Sequence, residues 1–271
     1  MLEKELNLAQ ELSLEAGRIV MSFYDTDVSV SWKNETDPVT QADKDSNEFI
    51  TAELSKLFSD DGILAEESKD DLNRLSKSRV WLVDPMDGTK EFIEKVGQFS
   101  VMIGLVENGR PVLGVVYQPT TDMMLFAVKG DGAFVVRAGE KISVRVSDVA
   151  AVDQMRMVVS RSHRAPLVDT IKDTLGIEKE VASGSVGLKV GLLVEQKSDL
   201  YIHPNSKTKE WDTCAPQIIL EEAGGQMTDC WGNPLTYNKE DVFNAKGFIA
   251  SNGKAHAGIL NKISPFLDQM D

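Results

Sequence analysis

The chain has 271 residues, enough for one large domain or two small ones whose core needs no metal or disulfide support. Hydrophobic residues make up 42% of it and charged residues 27%, which argues against wholesale disorder and against a fibrous architecture. The formal net charge of −14 repels nucleic-acid backbones and anionic lipid surfaces. We therefore expect a folded protein that binds neither.

The cysteines and the first residues indicate the compartment. Cys214 and Cys230 form no CxxC pair, so the sequence suggests neither a disulfide framework nor a structural zinc site. The first twenty residues carry four glutamates, and no stretch reaches the roughly eighteen apolar residues that a membrane span requires. These features predict a cytoplasmic protein with no signal peptide and no membrane span. Periodicity alone does not separate a surface patch from core, so it makes no prediction about oligomeric state.

The first half of the chain begins with helical periodicity and then changes to strands. The predicted elements, in order, are a helix at 2–23, a helix at 43–58, buried strands at 63–65 and 80–83, and an antiparallel meander at 99–136. Each of the two buried strands ends in acidic residues. Turn residues at 107–110 and 130–132 divide the meander into hairpins, because Gly and Asn accept the backbone angles that tight turns require.

The second half alternates between strands and helices. The predicted elements are a strand at 157–160, helices at 167–175 and 186–195, a strand at 200–202, a helix at 213–223, and further short strands. The β-rich half closes near Val149. We expect an α+β or α/β fold in a single domain, 1–271, with subdomains at about 1–149 and 150–271.

The most informative segment is Asp84-Pro85-Met86-Asp87-Gly88. Pro85 restricts the residue before it to extended geometry, and Gly88 permits a tight turn. The two carboxylates are thereby directed to one side of a strand-to-helix corner. Hard divalent cations take carboxylate and carbonyl oxygens, so Asp84, Asp87 and the Met86 carbonyl form a candidate Mg²⁺ site. The alternative is a turn with solvated acids.

The residues after this corner extend the candidate site. The amides of Gly88, Thr89 and Lys90 are predicted to begin a helix, where backbone N–H groups can receive phosphate oxygens. A further acid, Asp212, follows Trp211 at the start of another predicted helix. Its alternative role is a helix N-cap, which is compatible with metal binding.

Four segments resemble, in order and spacing, the signatures of the inositol monophosphatase superfamily of Mg²⁺-dependent, lithium-sensitive phosphatases. They are Thr36–Asp43 (TDPVTQAD), Leu64–Ser68 (LAEES), Trp81–Phe92 and Trp211–Gly225. The resemblance covers essentially the whole chain. It implies the layered αβαβα sandwich of the sugar phosphatases, with an N-terminal antiparallel-sheet half and a C-terminal alternating half.

The resemblance also implies a catalytic centre with two or three Mg²⁺ ions. Its ligands would be Glu66, Asp84, the Met86 carbonyl, Asp87 and Asp212. Asp43 and Thr89 would position and activate the attacking water, with Glu66 contributing through a shared metal and Glu67 lying farther out. The physical logic is that a phosphate ester can approach five carboxylates only if divalent cations first reverse the local sign of the charge.

Within the superfamily, Asp87–Ile93 (DGTKEFI) is similar to the branch that hydrolyses 3′-phosphoadenosine 5′-phosphate and related 3′(2′),5′-bisphosphates. Ser160–His163 (SRSH) and Trp211–Pro216 (WDTCAP) are similar to the same branch. The implied reaction is removal of the 3′-phosphate from this small-molecule bisphosphate. The alternatives are an inositol or sugar monophosphatase on the same fold, and a non-catalytic binding protein that kept the fold.

A bisphosphate needs a cationic or hydroxyl-rich pocket for the phosphate that is not cleaved. The candidate substrate-binding residues are Gly88, Thr89, Lys90, Ser160, Arg161, Ser162, His163, Gly184, Ser185, Lys189 and Asp212. The alternative for Arg161 and His163 is a solvated loop, and for Lys189 an exposed helix position. The segment 201–205 lacks the Tyr-Pro-Arg of some nucleotidases, so His203 and Lys207 are the candidates to replace that arginine.

Overall fold

The computed structural model describes residues 2–26, 30–34 and 37–269. Thr36, which opens the first of the four family-like segments, lies outside the described residues. The α-helices of the described part are α1 (Glu3–Tyr24), α2 (Gln41–Leu57), α3 (Thr89–Ile93), α4 (Pro166–Leu175), α5 (Val186–Val194), α6 (Glu210–Glu222) and α7 (His256–Ile263). None of the helices described is both long enough and apolar enough to cross a membrane.

The strands of the described part form a hairpin and two larger sheets. They are β1 (Val30–Asn34), β2 (Asp37–Thr40), β3 (Gly62–Ala65), β4 (Arg79–Asp87), β5 (Ser100–Glu107), β6 (Arg110–Gln118), β7 (Met123–Val128), β8 (Gly132–Arg137), β9 (Glu140–Val144), β10 (Arg156–Ser160), β11 (Lys179–Ser183), β12 (Leu200–His203), β13 (Gln226–Thr228) and β14 (Phe248–Ser251). β1 and β2 form the hairpin.

The larger sheet has seven strands in the order β3-β4-β5-β6-β7-β8-β9. β3 and β4 run parallel, with Ala65 opposite Val83, and every later neighbour is antiparallel. Asn108 and Gly109 both adopt positive φ, at 50° and 75°, in the turn that joins β5 to β6. Because β3 and β4 are parallel, the acidic residues at their carboxyl ends meet at the same edge.

The smaller sheet has five strands in the order β11-β10-β12-β14-β13. β10 is parallel to β11 and β12, while β14 is antiparallel to both of its neighbours. Alternate residues of β10 face opposite layers: Val158 packs in the cluster that contains α5 and α6, and Met157 packs in the cluster that contains α4 and α7. Both faces of this sheet are therefore covered by helices.

Helices α1 and α2 cover the outer face of the larger sheet. Ala9, Leu12 and Ala16 recur at three- and four-residue steps of α1 and pack against buried residues of that sheet. The layers in order are α1/α2, the larger sheet, α5/α6, the smaller sheet and α4/α7. The predicted αβαβα sandwich is confirmed.

Helix α6 lies unusually close to the larger sheet. Gly104 of β5 and Gly114 of β6 are direct partners across the strand pair. A methyl group at Gly114 would lie 2.5 Å from the Ala215 carbonyl oxygen, and one at Gly104 would lie 2.5 Å from the Cys214 Sγ. The two glycines thus let the first turns of α6 rest on the backbone of the sheet.

The structure differs from the sequence prediction at several boundaries. The hairpin β1–β2 and the strand β11 were not predicted; β11 is an edge strand with exposed charged side chains, so it has no apolar run. Strand β4 continues to Asp87, because the irregularity between Asp84 and Asp87 bends the strand without ending its pairing. Helix α6 begins at Glu210 rather than at residue 213.

Candidate metal and substrate site

Three carboxylates converge where β4 meets the start of α6. One oxygen each of Asp84, Asp87 and Asp212 lies within 4.8 Å of the others. Asp84 is almost fully buried, and its Oδ1 accepts the Met86 N–H at 3.1 Å. This local bond holds the bend in β4 that places Asp84 and Asp87 on the same side. The two acids predicted from the Asp-Pro-Met-Asp segment are therefore brought together with the third.

Asp87 also accepts hydrogen bonds from the residues that begin α5. Its Oδ2 accepts hydrogen bonds from the Ser185 hydroxyl at 2.7 Å, from the Val186 N–H, and from the Gly187 N–H at 3.4 Å. The Val186 and Gly187 donors are free amides at the N-terminus of α5, where a negative charge is favoured. Burial nevertheless raises the pKa of Asp87, although the nearby Lys189 ammonium opposes the rise.

Asp212 is the third residue of α6 and not its N-cap, so the N-cap alternative is wrong. Lys209 occupies the cap position, and its backbone N–H donates to Asp212 Oδ2 at 2.6 Å. Burial, together with the charges of Asp87 and Glu66, raises the pKa of Asp212 to about 8. Burial and the neighbouring acids thus disfavour the ionised form of the Asp212 carboxyl.

Asp43 occupies the same position in α2 that Asp212 occupies in α6. Its Oδ2 accepts the Thr40 N–H at 2.7 Å and the Thr40 hydroxyl at 2.6 Å, while its Oδ1 accepts the Thr89 hydroxyl at 3.0 Å. Burial raises the pKa of Asp43 to about 6, and Glu66 contributes to the rise. One oxygen of this carboxylate is fixed by its own helix, and the other holds Thr89.

Glu66 lies beside the three-carboxylate cluster. Its backbone N–H donates to the Val83 carbonyl at 3.1 Å, which continues the parallel pairing of β3 and β4. Its Oε1 lies 3.8 Å from the Lys209 Nζ. The Glu67 N–H donates to Asn47 Oδ1 at 3.4 Å, so the next residue is anchored to α2.

The residues present fit a hard divalent cation. The converging groups offer only oxygen atoms, which Mg²⁺ and Ca²⁺ prefer. The raised pKa values of Asp43, Asp87 and Asp212 mean that these acids resist ionising together unless positive charge is supplied. The Met86 carbonyl lies next to them, 3.4 Å from the Thr89 hydroxyl.

A second group of predicted residues lies at the carboxyl ends of β10 and β11. Gln98 joins two of them, since its Oε1 accepts the Arg161 Nε at 2.8 Å and the Gly184 N–H at 2.9 Å. The Ser160 hydroxyl accepts the His163 N–H at 3.1 Å, and the Ser162 hydroxyl donates to Glu91 Oε1 at 2.7 Å. The side chains of Arg161 and His163 are exposed.

This second group continues directly into the carboxylate cluster. Ser185, which follows Gly184, donates to Asp87 and is the N-cap of α5, with φ of 46°. Lys189, one turn later, is only 3% exposed, so its alternative as an exposed helix position is wrong. Its ammonium lies 5.3 Å from the centre of the Tyr201 ring. Burial lowers the pKa of Lys189, while Asp87, Glu91 and Asp212 counteract part of that effect.

The side of the site formed by α3 is more open. Gly88 caps α3 with φ of 102°, and a methyl group there would lie 2.9 Å from the Gln98 carbonyl oxygen. A side chain at this position would therefore be strained and would collide with the neighbouring backbone. Thr89 and Lys90 follow and are partly exposed.

His203 does not supply the positive charge expected of a replacement for arginine. It is buried, stacked on Phe248 and within 3.2 Å of the Tyr201 hydroxyl through Nδ1. Burial, with a contribution from the Lys189 charge, lowers its pKa to about 3, so the imidazole is neutral at pH 7. Its Nε2 has no hydrogen-bond partner among the described residues.

Gln98 and Glu91 were missed as members of this site. Gln98 lies in a loop without a chemical motif, and only the fold brings it to Arg161 and Gly184. Glu91 stands in the DGTKEFI segment, but nothing in that segment indicates that its carboxylate is buried and accepts the Ser162 hydroxyl. Both depend on contacts between residues far apart in the chain.

Comparison with known proteins places this geometry in a family. The curated 3′(2′),5′-bisphosphate nucleotidase CysQ of Aggregatibacter actinomycetemcomitans is 36% identical, over 88% of this chain and 89% of its own. CysQ of Escherichia coli strain K12 is 35% identical, over 89% of this chain and 97% of its own.

Solved structures of similar fold include a protein of the same name. CysQ from Bacteroides thetaiotaomicron has a TM-score of 0.80 and 33% identity, covering 93% of this chain and 97% of its own. The IMPase of Thermotoga maritima has a TM-score of 0.83 and 27% identity, covering 99% of both chains. The inositol monophosphatase family matches residues 1–267. With its layered fold and its convergent carboxylates, the chain belongs to the inositol monophosphatase family.

Proposed function

We propose that the protein is a Mg²⁺-dependent phosphatase that removes the 3′-phosphate of 3′-phosphoadenosine 5′-phosphate. The observation that carries this proposal is the contact between two groups: the acidic cluster of Asp84, Asp87 and Asp212 adjoins a hydroxyl- and cation-bearing segment through Ser185. A bisphosphate has one phosphate for each group. The names of the relatives at 35% and 36% identity support the same substrate.

The metal side of the site would bind two or three Mg²⁺ ions. The proposed ligands are Glu66, Asp84, the Met86 carbonyl, Asp87 and Asp212, all of which offer oxygen atoms. When bound, such ions lower the pKa of a coordinated water and stabilise negative charge on the attacking and leaving oxygens. The acids themselves bind and orient the cations.

Asp43 and Thr89 would orient the attacking water. The Thr89 hydroxyl donates its proton to Asp43 Oδ1, so its oxygen lone pairs remain available to accept a hydrogen bond from a water molecule. The Thr40 cap fixes the other oxygen of Asp43, which prevents the carboxylate from rotating away. In the proposed step the water would give a proton to the Thr89 oxygen while the Thr89 proton passes to Asp43 Oδ1, so Asp43 would be the final proton acceptor.

The phosphate that is not cleaved would lie near Lys189 and Arg161. The Lys189 ammonium is buried, and the exposed Arg161 is tethered by Gln98. Hydroxyl and backbone donors surround them, and we propose that Ser160, His163, Gly184 and Ser185 contribute to this pocket, with Gly88 and Lys90 on the α3 side. Charge-assisted hydrogen bonds of this kind recognise phosphate strongly.

We also propose a single domain, 1–271, in the cytoplasm. Buried residues of both sheets pack in one cluster around α5 and α6, which supports one domain with subdomains near 1–149 and 150–271. Cys214 and Cys230 are free and buried, which supports a reducing compartment.

The second candidate function is an inositol monophosphatase, since the similarity to the T. maritima IMPase extends over 99% of both chains. The deciding experiment measures phosphate release from 3′-phosphoadenosine 5′-phosphate and from inositol 1-phosphate, with Mg²⁺ and equal enzyme. We expect a higher kcat/KM for the bisphosphate. A preference for the inositol ester would contradict the proposed substrate and retain the metal site, whereas no Mg²⁺-dependent release from either would contradict both.

A further inference from the structure

Lys209 places a positive charge at the edge of the candidate metal site. Its Nζ lies 3.8 Å from Glu66 Oε1, and its charge also acts on Asp212. Its backbone N–H donates to Asp212 Oδ2 at 2.6 Å. Lys209 thus touches two proposed ligands that come from different segments, one after β3 and one in α6.

The position of this ammonium is built into the fold. The Lys209 backbone forms an isolated antiparallel bridge with Phe243, and its carbonyl accepts the Asn244 Nδ2 at 2.9 Å. The Nζ lies 5.1 Å from the centre of the Trp211 ring and 5.8 Å from that of Phe243. Cation–π attraction to two rings restricts the lysine, which is only 22% exposed.

We propose that Lys209 weakens the binding of the divalent ion that Glu66 helps to hold. Its ammonium partly neutralises Glu66 and repels a second cation brought to the same carboxylate. The inference rests on the proposed function only through the assignment of Glu66 and Asp212 as metal ligands. It follows that one ion of the site binds less tightly than the acids alone would allow.

The test is calorimetric titration of the protein with Mg²⁺ alone, without substrate. Lys209→Met keeps an apolar stem against Trp211 and removes the charge. We expect the Mg²⁺ affinity of the weakest site to rise by about three- to tenfold. This is the effect expected when one positive charge is removed several ångströms from a divalent ion in partly solvated surroundings. Lys209→Arg keeps the charge and should stay within about twofold of the wild type.

Lys246 offers a matched control away from the site. Its Nζ lies 5.4 Å from the centre of the Trp231 ring and 4.0 Å from Asp229 Oδ2, a similar pairing with an aromatic ring and an acid. Lys246→Met should leave Mg²⁺ affinity unchanged. If it tightened binding as much as Lys209→Met, the effect would reflect net charge, and the inference would be wrong.

Two further results would overturn the inference. One is unchanged or weaker Mg²⁺ binding in Lys209→Met, and Lys209→Gln provides a second uncharged variant if the methionine protein does not fold. The other is a rise in the KM for substrate without any change in Mg²⁺ affinity, which would make Lys209 a substrate contact. A wild-type protein that binds Mg²⁺ but does not hydrolyse the bisphosphate would contradict the proposed function and leave this inference standing.

Discussion

The two sides of the site are held by different kinds of contact. On the metal side, Asp43 and Asp212 are each fixed by the backbone of their own helix, and Asp84 by an amide two residues away. On the substrate side, Arg161 and Gly184 are held by Gln98, which comes from another part of the chain. Asp43, Asp84 and Asp212 are therefore fixed by local contacts. Asp87, which accepts hydrogen bonds from the start of α5, and the substrate side both depend on tertiary packing.

Asp212→Asn tests the metal side and should have the largest effect. The asparagine Oδ1 can still accept the Lys209 N–H, and the change removes a charge that Asp87 and Glu66 repel. We expect turnover to fall by about 10³-fold or more, because a ligand charge that binds the catalytic cation is lost. In thermal unfolding without metal, the variant should be at least as stable as the wild type.

The same unfolding experiment repeated with Mg²⁺ sharpens this prediction. A cation that binds only the native state raises the unfolding temperature, so the wild type should gain stability from Mg²⁺ and Asp212→Asn should gain less. Asp131→Asn, in the exposed turn between β7 and β8, serves as the control for net charge. Full activity in Asp212→Asn would contradict the proposed site.

Thr89→Val should have the next largest effect. Valine has nearly the same shape as threonine but cannot donate to Asp43 Oδ1 or accept from a water molecule. We expect kcat to fall by about 10²-fold, the range of a lost acid–base contribution, with little change in KM. Thr89→Ser retains the hydroxyl and should recover most of kcat; equal losses in both variants would indicate a packing effect.

Arg161→Gln tests the substrate side and should have a smaller effect. The guanidinium is exposed and already donates to Gln98 and to the Ala182 carbonyl. We expect the KM for the bisphosphate to rise by about three- to tenfold, since a single exposed contact to phosphate contributes modestly, and kcat to stay close to wild type. The exposed Arg145→Gln is the control. An equal rise in KM for a substrate with one phosphate would contradict the assignment.

Glu180→Gln tests the outer edge of the substrate side and should have the smallest effect. Hydrogen bonds from Arg164 and Lys172 hold the pKa of Glu180 at about 2, below its usual 4.5. These two ion pairs therefore stabilise the fold above pH 4.5, and the contribution is lost as the pH falls toward 2. Both ion pairs are partly exposed, so together they should contribute under about 1 kcal/mol to the free energy of unfolding. The unfolding temperature should fall by about 1–2 °C at pH 7.

The difference made by Glu180→Gln should shrink in 1 M salt, because salt screens exposed charges, and should disappear near pH 2. A difference that persists under both conditions would indicate a packing role instead.

The contrast between local contacts and contacts from distant segments also explains what could be predicted from the sequence. Asp84 and Asp87 were found because Pro85 and Gly88 define a local corner. The strand β11, by contrast, has exposed charged residues and gave no apolar run, so it was missed. The layered sandwich, which the family resemblance implied, is confirmed; the apolar pattern by itself predicted only a meander followed by an alternating α/β half.

Burial explains two differences from the interpretations that the sequence left open. Lys189 could be interpreted as an exposed helix residue because a lysine normally prefers water, yet α5 is packed between the sheets and the Lys189 side chain is almost fully buried. His203 was a candidate cation because imidazole can be charged, yet burial keeps it neutral. Burial depends on which layers surround a residue, and no short motif carries that information.

The paired glycines under α6 have a consequence for cation size. Asp84 and Asp87 belong to the sheet, whereas Asp212 is carried by the helix that rests on Gly104 and Gly114. The distance between the Asp212 carboxylate and those of Asp84 and Asp87 therefore depends on how closely α6 approaches the larger sheet. Mg²⁺ requires shorter oxygen distances than Ca²⁺. A methyl group at either glycine would move the helix outward and shift the preferred ionic radius upward, although neither residue is itself a ligand.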